Sequence, residues 1–376
     1  MNFEFSTEQL QIKEEVRRVL SDLSSSANVR KVLEAGTGMD RNLWTILGEL
    51  GFLGAAIPEE YGGTGVGHLE LCAIAEELGR ANATIPFSSS ICLGAELVMA
   101  AGNPQQKAHW LPRLARGASI ACLAVTEGAG QMVPGGIHAV FDEGRITGIK
   151  VPVLDGGVAD VAIVAALAGN QVSLYLVDLQ SKGVSRTPVT TIDPTRGQAR
   201  LELRGVSAEL LAADGWSVLT RALDRAAVLA AFEQVGGAER ALEMARDYAL
   251  ERYAFGRPIG SFQAIKHKLV DMYVSVVLAR SNAYYGAWAM LENAPELPEA
   301  AAAARVSAIQ AHQLCVKENI QVHGGMGFTW EFDCHLYYRR AHLLAVSLNG
   351  LTHWQDRLIQ QLRARRELNA ATAHEL

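Results

Sequence analysis

A glycine-rich stretch near the C-terminus contains residue types that can bind a flat or anionic ligand. It spans Gln321–Glu331 (QVHGGMGFTWE) and ends a long alanine-rich helical pattern that begins near Pro298. Three glycines within four positions permit left-handed backbone conformations and let backbone N–H groups approach a ligand closely. An isolated motif of this kind more often marks a helix end followed by a tight corner. A functional assignment therefore depends on a second motif.

A second stretch, Glu251–Ile265 (ERYAFGRPIGSFQAI), precedes the first by about 60 residues. We predict that a helix ends at Gly256, that a proline-containing turn follows, and that a new helix begins after Ser261. In order and spacing the two stretches together resemble the acyl-CoA dehydrogenase family of flavoproteins. The resemblance covers essentially the whole chain.

The resemblance implies an FAD that is shared across a subunit interface. In this family the flavin ring lies in one subunit, and the neighbouring subunit clamps the ADP half. A guanidinium can bind a pyrophosphate through two hydrogen bonds, and a phenyl ring can cover a dinucleotide. The alternative is a core phenylalanine, a surface arginine and an ordinary capped helix. The residues that match the family's clamp are Arg252, Phe255, Gln263, Gln321, Gly324 and Gly325.

The flavin-ring side of the family pattern is incomplete. Thr126 begins the segment TEGAGQ, which lacks the family's proline and has Gln131 or Met132 where a serine is usual. In the segment KVPVLDG, Pro152 replaces a tryptophan and Leu154 replaces a threonine, both of which touch the ring in the family. Thr126 could still offer backbone contacts to a ring.

The family's catalytic base is also missing. The family uses a carboxylate to remove the α-proton of an acyl-CoA thioester while a hydride passes to the flavin. One family position for this carboxylate corresponds to Leu348 or Asn349, and a second corresponds to Ala226. No catalytic base is therefore assigned by match. Glu233 lies two helical turns after Ala226 and is a candidate, although such a residue is more often a helix-end or interface acid.

Hydrophobic periodicity predicts a mainly α fold with a middle β domain, which is also the order of domains in the acyl-CoA dehydrogenase fold. Residues 1–117 read as an N-terminal helical domain whose first helix is capped by Ser6. Residues 118–215 contain short apolar and alternating runs, typical of a β sandwich or barrel. Residues 216–376 read as a C-terminal four-helix bundle. Its predicted helices span Asp224–Glu251, Phe262–Asn293, Pro298–His323 and Arg339–Leu368.

Composition excludes several other classes of protein. The chain has 376 residues and a net charge of -6, so it has no basic stripe that would favour nucleic acid. No apolar run has the length of a membrane span, and the N-terminus shows no signal-peptide pattern. The five cysteines are scattered without a CxxC pair, and the histidines lack metal-site spacing. We therefore expect a cytoplasmic protein that holds no metal ion.

An intact clamp beside a missing ring site and base predicts a subunit that serves a neighbour's flavin. Some bacterial members of the family that act on steroid side-chain CoA thioesters are heterotetramers in which one subunit type lacks the base, and Val153–Asp160 resembles that type. The resemblance implies an acyl-CoA substrate, a homologous partner subunit or a second copy, and an electron-transfer flavoprotein as acceptor. Two alternatives stay open: a self-sufficient homomeric dehydrogenase with an unconventional base, and a non-catalytic structural or acyl-CoA-binding protein.

Overall fold

The computed structural model describes residues 6–130 and 132–374, and side chains up to residue 367. The chain packs as two units. The first, here called the helical unit, contains Ala75–Asn82 and the chain from Ala227 onward, together with the residues before Ile12. The second, the mixed unit, contains Ile12–Ile74 and Ala83–Ala226. Division into three domains, with boundaries at 117 and 215, stays a prediction.

Polar side chains cap the N-termini of the first three helices. Ser6 and Gln9 exchange side-chain and backbone hydrogen bonds, as the sequence predicts for the first helix. Ser25 and Asp40 each accept a backbone N–H three residues later. A π-helical turn, Ser90–Ala95, joins the fifth and sixth helices. The helices are α1 (Thr7–Leu23), α2 (Ser26–Ala35), α3 (Arg41–Glu49), α4 (His68–Arg80), α5 (Phe87–Ser89), α6 (Glu96–Ala101) and α7 (Pro104–Ala115).

Eight strands within the described residues of the mixed unit form one sheet in the order β6-β7-β3-β2-β4-β5-β8, with β1 parallel to β4. Buried and partly exposed residues alternate along β7, which confirms the predicted alternation and places one face against the core. Strand β4 is buried on both faces over most of its length. The strands are β1 (Ala121–Ala124), β2 (Val140–Asp142), β3 (Arg145–Leu154), β4 (Val161–Ala168), β5 (Gln171–Asp178), β6 (Val184–Val189), β7 (Gln198–Ser207) and β8 (Glu209–Ala212).

Long helices dominate the C-terminal half, so the predicted mainly α architecture with a middle β region is confirmed. Alanines line the buried face of α10, where small side chains allow close helix packing. Among the described helices, none is long and apolar enough to cross a membrane. The helices are α8 (Gly215–Glu251), α9 (Gln263–Leu291), α10 (Leu297–His323), α11 (Cys334–Val346) and α12 (Leu351–His374).

Two predictions about helix ends differ from the structure. The predicted helix Asp224–Glu251 does end at Glu251, but the alternative end at Gly256 is wrong, because a hairpin of β9 (Tyr253–Ala254) and β10 (Arg257–Pro258) lies there. The single helix predicted over Arg339–Leu368 is wrong, because the chain forms two helices there, α11 and α12. Leu348 and Asn349, with φ of 56° and 70°, separate these two helices.

Candidate functional site

A two-residue hairpin turn carries the side chain of Phe255 into solvent. Ala254 pairs with Arg257, and the turn residues Phe255 and Gly256 have φ of 53° and 77°. Positive φ at both turn positions is the signature of a type I′ hairpin. A phenylalanine in this conformation is uncommon, and its side chain here is 94% exposed. The hairpin therefore holds a large apolar ring where a ligand or a neighbouring chain can contact it.

Two further clamp residues flank this hairpin. The backbone of Arg252 is fixed on both sides, since its N–H donates to Tyr248 O at 2.8 Å and its carbonyl accepts Ile259 N–H at 2.7 Å. Its side chain is exposed, as is that of Gln263, the first residue of α9. The structure therefore presents a guanidinium and an amide to solvent from a rigid backbone.

The glycine-rich turn lies at the end of α10. Gly324 has a φ of 60°, and added Cβ atoms at Gly324 and Gly325 would meet no atom within 4 Å. Gln321, in the last turn of α10, is exposed. The backbone at this turn is therefore open to close approach by a ligand.

A partly buried aromatic stack joins the glycine turn to the helix end before the hairpin. The rings of His323 and Tyr248 lie 4.1 Å apart at an interplanar angle of 23°, and Phe332 meets both edge-on. Burial lowers the pKa of His323, although its ring nitrogen lies 2.9 Å from Asn319 O. Tyr248 lies one turn before Arg252 in the chain. The stack therefore holds the two predicted clamp motifs within one packed structure.

The segments predicted to face a flavin ring are packed against each other in the mixed unit. Thr126 donates its hydroxyl to Pro152 O at 3.1 Å, and its carbonyl accepts Val151 N–H at 2.8 Å. The cavity beside Thr126 measures about 180 Å³. Pockets for drug-sized ligands typically measure about 300–1,000 Å³. Gln131, at the predicted serine position, lies outside the described residues.

A buried ion pair supports this region. Lys150 donates to Glu127 at 2.6 Å and to Val125 O at 3.0 Å, and Glu127 also accepts the backbone N–H groups of His138 and Ala139. Burial opposes the charge on Glu127, but these hydrogen bonds outweigh it and lower the pKa of that carboxyl. Glu127 is therefore held as an anion by its partners, in a structural role.

The loop at one predicted base position is held by a residue that sequence reasoning missed. Arg305, fully buried on α10, donates to the carbonyls of Leu344 and Ser347. The indole of Trp354 donates to Leu348 O at 2.9 Å. Burial lowers the pKa of Arg305 to about 10, although nearby Glu233 opposes the shift. An arginine on the apolar face of an alanine-rich helix is the sequence signal that could have identified it.

The candidate base Glu233 and the residue at the second family base position, Ala226, are both buried. Glu233 is 5% exposed, and one of its carboxylate oxygens lies 3.9 Å from a guanidinium nitrogen of Arg340, which is also buried. The negative charge of Glu233 compensates the positive charge of Arg340 in the interior, which is a structural role. Ala226 is 1% exposed. The structure therefore does not favour Glu233 as an accessible base.

Comparisons with known proteins decide the family. The chain matches the acyl-CoA dehydrogenase N-terminal domain over residues 6–118 and the C-terminal domain over residues 213–361. It is 36% identical over 337 residues to "Acyl-CoA dehydrogenase IpdE2" of Mycobacterium tuberculosis, covering 89% of this chain and 91% of that one. The chain belongs to the acyl-CoA dehydrogenase family.

Two solved structures share the fold of this acyl-CoA dehydrogenase. One is a variant of the "Tcur3481-Tcur3483 steroid ACAD", with a TM-score of 0.88 and 29% identity, and the match covers 96% of this chain and 99% of that one. The other is the "ChsE4-ChsE5 complex from Mycobacterium tuberculosis", with a TM-score of 0.89, 28% identity and the same coverage. The family consists of flavoprotein oxidoreductases, so family membership identifies this chain as one of them.

Other kinds of site have little support in this acyl-CoA dehydrogenase. In the part of the chain that the structure describes, no group of three or more His, Cys, Asp or Glu side chains could hold a metal ion. All five cysteines are buried and unbridged.

Proposed function

We propose that this acyl-CoA dehydrogenase is the subunit without a catalytic base in a heteromeric, FAD-dependent enzyme that α,β-dehydrogenates an acyl-CoA thioester. One contrast within the chain carries the proposal. The residues that would clamp an ADP moiety are retained and exposed, whereas Ala226, Leu348 and Asn349 provide no carboxylate at the base positions. A chain of this kind can complete a neighbour's flavin site without performing the reaction itself.

The clamp residues fit the ADP half of FAD. Phe255 offers an exposed ring, and the open backbone at Gly324 and Gly325 can approach phosphate or ribose oxygens. Arg252 and Gln263 are exposed and can donate hydrogen bonds to a diphosphate or a ribose. These five residues, with Gln321, are the proposed FAD contacts of this chain.

The ring-side residues do not fit an isoalloxazine in the same way. Pro152 cannot stack as an indole does, and Leu154 has no hydroxyl to donate. The hydroxyl and carbonyl of Thr126 already pair within the chain. We therefore propose that the flavin ring, which supplies the hydride acceptor, lies in the partner subunit.

The proton step also requires the partner subunit. Removal of an α-proton needs a base within hydrogen-bond reach of that proton. Glu233 is held in the bundle interior beside Arg340, and Asn349 has a neutral amide. We propose that a carboxylate of the homologous partner accepts the proton, and that this chain contributes binding and orientation of the dinucleotide.

An apolar stripe on α9 supports a subunit interface. Its side chains recur at helical spacing, and leaving such a stripe in solvent is unfavourable. The exposed members are Val270, Tyr273, Val274, Val277 and Leu278.

The solved structures of similar proteins suggest the kind of partner and substrate. One of them is described as a steroid ACAD and the other as a complex of two named chains. We propose a homologous subunit as the partner, a bulky substrate such as a steroid side-chain CoA thioester, an electron-transfer flavoprotein as acceptor, and a cytoplasmic location.

The proposal is tested by anaerobic bleaching of the flavin with a bulky acyl-CoA. We expect no rapid bleaching with this chain alone. We expect rapid bleaching in the co-expressed complex with a homologue that carries a glutamate at either base position, and its loss when that glutamate becomes glutamine. Rapid bleaching by this chain alone would refute the proposal and favour a self-sufficient homomer. Absence of flavin with every partner would favour a non-catalytic protein.

A further inference from the structure

The exposed ring of Phe255 needs a structural support, because nothing in its own backbone conformation fixes the side chain. Its φ of 53° lies in a region that side-chain-bearing residues rarely adopt, and the ring is 94% exposed. An exposed phenylalanine samples several rotamers, and ordering them opposes binding. A residue that limits these rotamers before the ligand arrives therefore strengthens binding.

Phe262 provides the first contact that limits them. The two rings meet edge-on, with centroids 6.2 Å apart and planes at 83°, which is a favourable arrangement for aromatic pairs. Phe262 is the N-cap residue of α9, and its carbonyl accepts the N–H groups of Ile265 and Lys266 at 3.1 Å. Its ring is therefore attached to a long, packed helix.

Arg257 provides the second contact. Its guanidinium carbon lies 4.2 Å from the centroid of the Phe262 ring, well within cation–π distance. The guanidinium of Arg257 has no hydrogen bond or ion pair to any residue that the structure describes, so its contact with the Phe262 ring is the one that holds it in place. Its backbone pairs with Ala254 across the hairpin, directly beside the turn that carries Phe255.

We infer that Arg257 is a positioning residue for the dinucleotide clamp, and that it acts through Phe262 on Phe255. The inference rests on the proposed function, because it assumes that Phe255 covers a bound flavin dinucleotide. Arg257 holds one side of the Phe262 ring, and Phe262 in turn restricts the ring of Phe255 at the hairpin tip. Arg257 itself does not touch the ligand.

The first test measures the FAD dissociation constant of the assembled flavoprotein isolated through a tag on this chain, from the fluorescence of released flavin. Arg257→Met should raise the constant about two- to fivefold, which corresponds to the loss of one exposed cation–π contact. Arg257→Lys should retain most of the affinity, since an ammonium group also binds an aromatic face. Arg363→Met, which removes an exposed charge on α12, is the matched control and should have no effect.

A double-mutant cycle with Phe262→Leu separates indirect action from direct contact. In the Phe262→Leu background, Arg257→Met should cause no further loss of FAD affinity. An equal loss in both backgrounds would mean that the guanidinium reaches the flavin diphosphate directly, and would overturn the inference. If Phe255→Ala itself leaves the dissociation constant unchanged, the proposed clamp is wrong.

A second measurement needs no flavin and no partner. In the purified chain labelled with 4-fluorophenylalanine, the fluorine resonance of Phe255 is assigned from Phe255→Leu. Arg257→Met should move this resonance toward the value of an unstructured phenylalanine, Arg257→Lys should move it less, and Arg363→Met should leave it in place. An unmoved resonance in Arg257→Met would overturn the positioning role, whatever the flavin affinity.

Discussion

His312 should make the helical unit lose stability as the pH falls from 7 to 5. This histidine lies on α10 with 1% of its surface exposed, and neither ring nitrogen has a hydrogen-bond partner among the described residues. Burial lowers its pKa from 6.5 to about 3, and the nearby charges of Arg340, His342 and Arg305 act in the same direction. The folded chain therefore keeps this imidazole neutral at pH 5.

The sign of the effect follows from proton linkage. The folded pKa lies below the unfolded one, so between these values the unfolded chain binds more protons than the folded chain. Acidification through this window therefore favours unfolding. With an unfolded pKa of 6.5 and a folded pKa of about 3, the contribution of His312 falls by about 2 kcal/mol between pH 7 and pH 5.

The assay is urea unfolding followed by circular dichroism at pH 7 and pH 5, with wild type and His312→Leu compared at both pH values. Leucine has a similar volume and no titrating group, so the variant should lose about 2 kcal/mol less than wild type over this interval. His267→Leu, an exposed histidine of α9, is the control and should resemble wild type. Equal losses in wild type and His312→Leu would refute the reasoning, because they would mean that His312 is not kept neutral by burial.

Three further predictions concern the clamp, the base-position loop and the interface. Arg252→Ala should reduce the free energy of flavin binding in the assembled complex by about 1.5–3 kcal/mol, the usual range for a hydrogen bond to a charged group. Unchanged flavin occupancy would mean that Arg252 is only a surface charge and does not contact the flavin. Arg305→Met should lower the free energy of unfolding by about 1–3 kcal/mol, because it removes the donor of buried Gln234 Oε1 and of the Ser347 carbonyl, whereas Leu344 O keeps the hydroxyl of Ser347 as a donor; a loss below about 0.5 kcal/mol in urea unfolding would contradict this. Val274→Asp places a charge in the α9 stripe and should dissociate the assembly in sedimentation velocity, whereas a wild-type chain that sediments as a monomer with and without a partner would remove the basis for this prediction.

Local sequence signals were sufficient to predict the class of fold and the order of its helical and β regions. The capping pattern at Ser6 and the alternation along Gln198–Ser207 predict a helix start and a strand, and the structure contains both. Such signals are readable because they depend on neighbours within a few residues. The proposed clamp residues were also named from the sequence, because Arg252–Gln263 and Gln321–Gly325 resemble two motifs of the family, and their contact with FAD stays a prediction.

The hairpin that exposes Phe255 was decided by tertiary structure. The local pattern around Gly256 equally suits a helix end, and the hairpin forms because Ile259 N–H reaches the carbonyl of Arg252 across it. The left-handed conformation of Phe255 is held by the backbone pairing of Ala254 with Arg257 on either side of the turn. No local propensity favours a phenylalanine at that position, so the sequence alone could not predict it.

The break between α11 and α12 was also decided by tertiary structure. Apolar spacing continues through Leu348, and the interruption depends on Arg305, which binds the carbonyls of Leu344 and Ser347 from about 40 residues away in the chain. A buried guanidinium is tolerated only where several acceptors converge on it. That convergence exists only after α10 and α11 have packed, because no residue near Arg305 in sequence provides those acceptors.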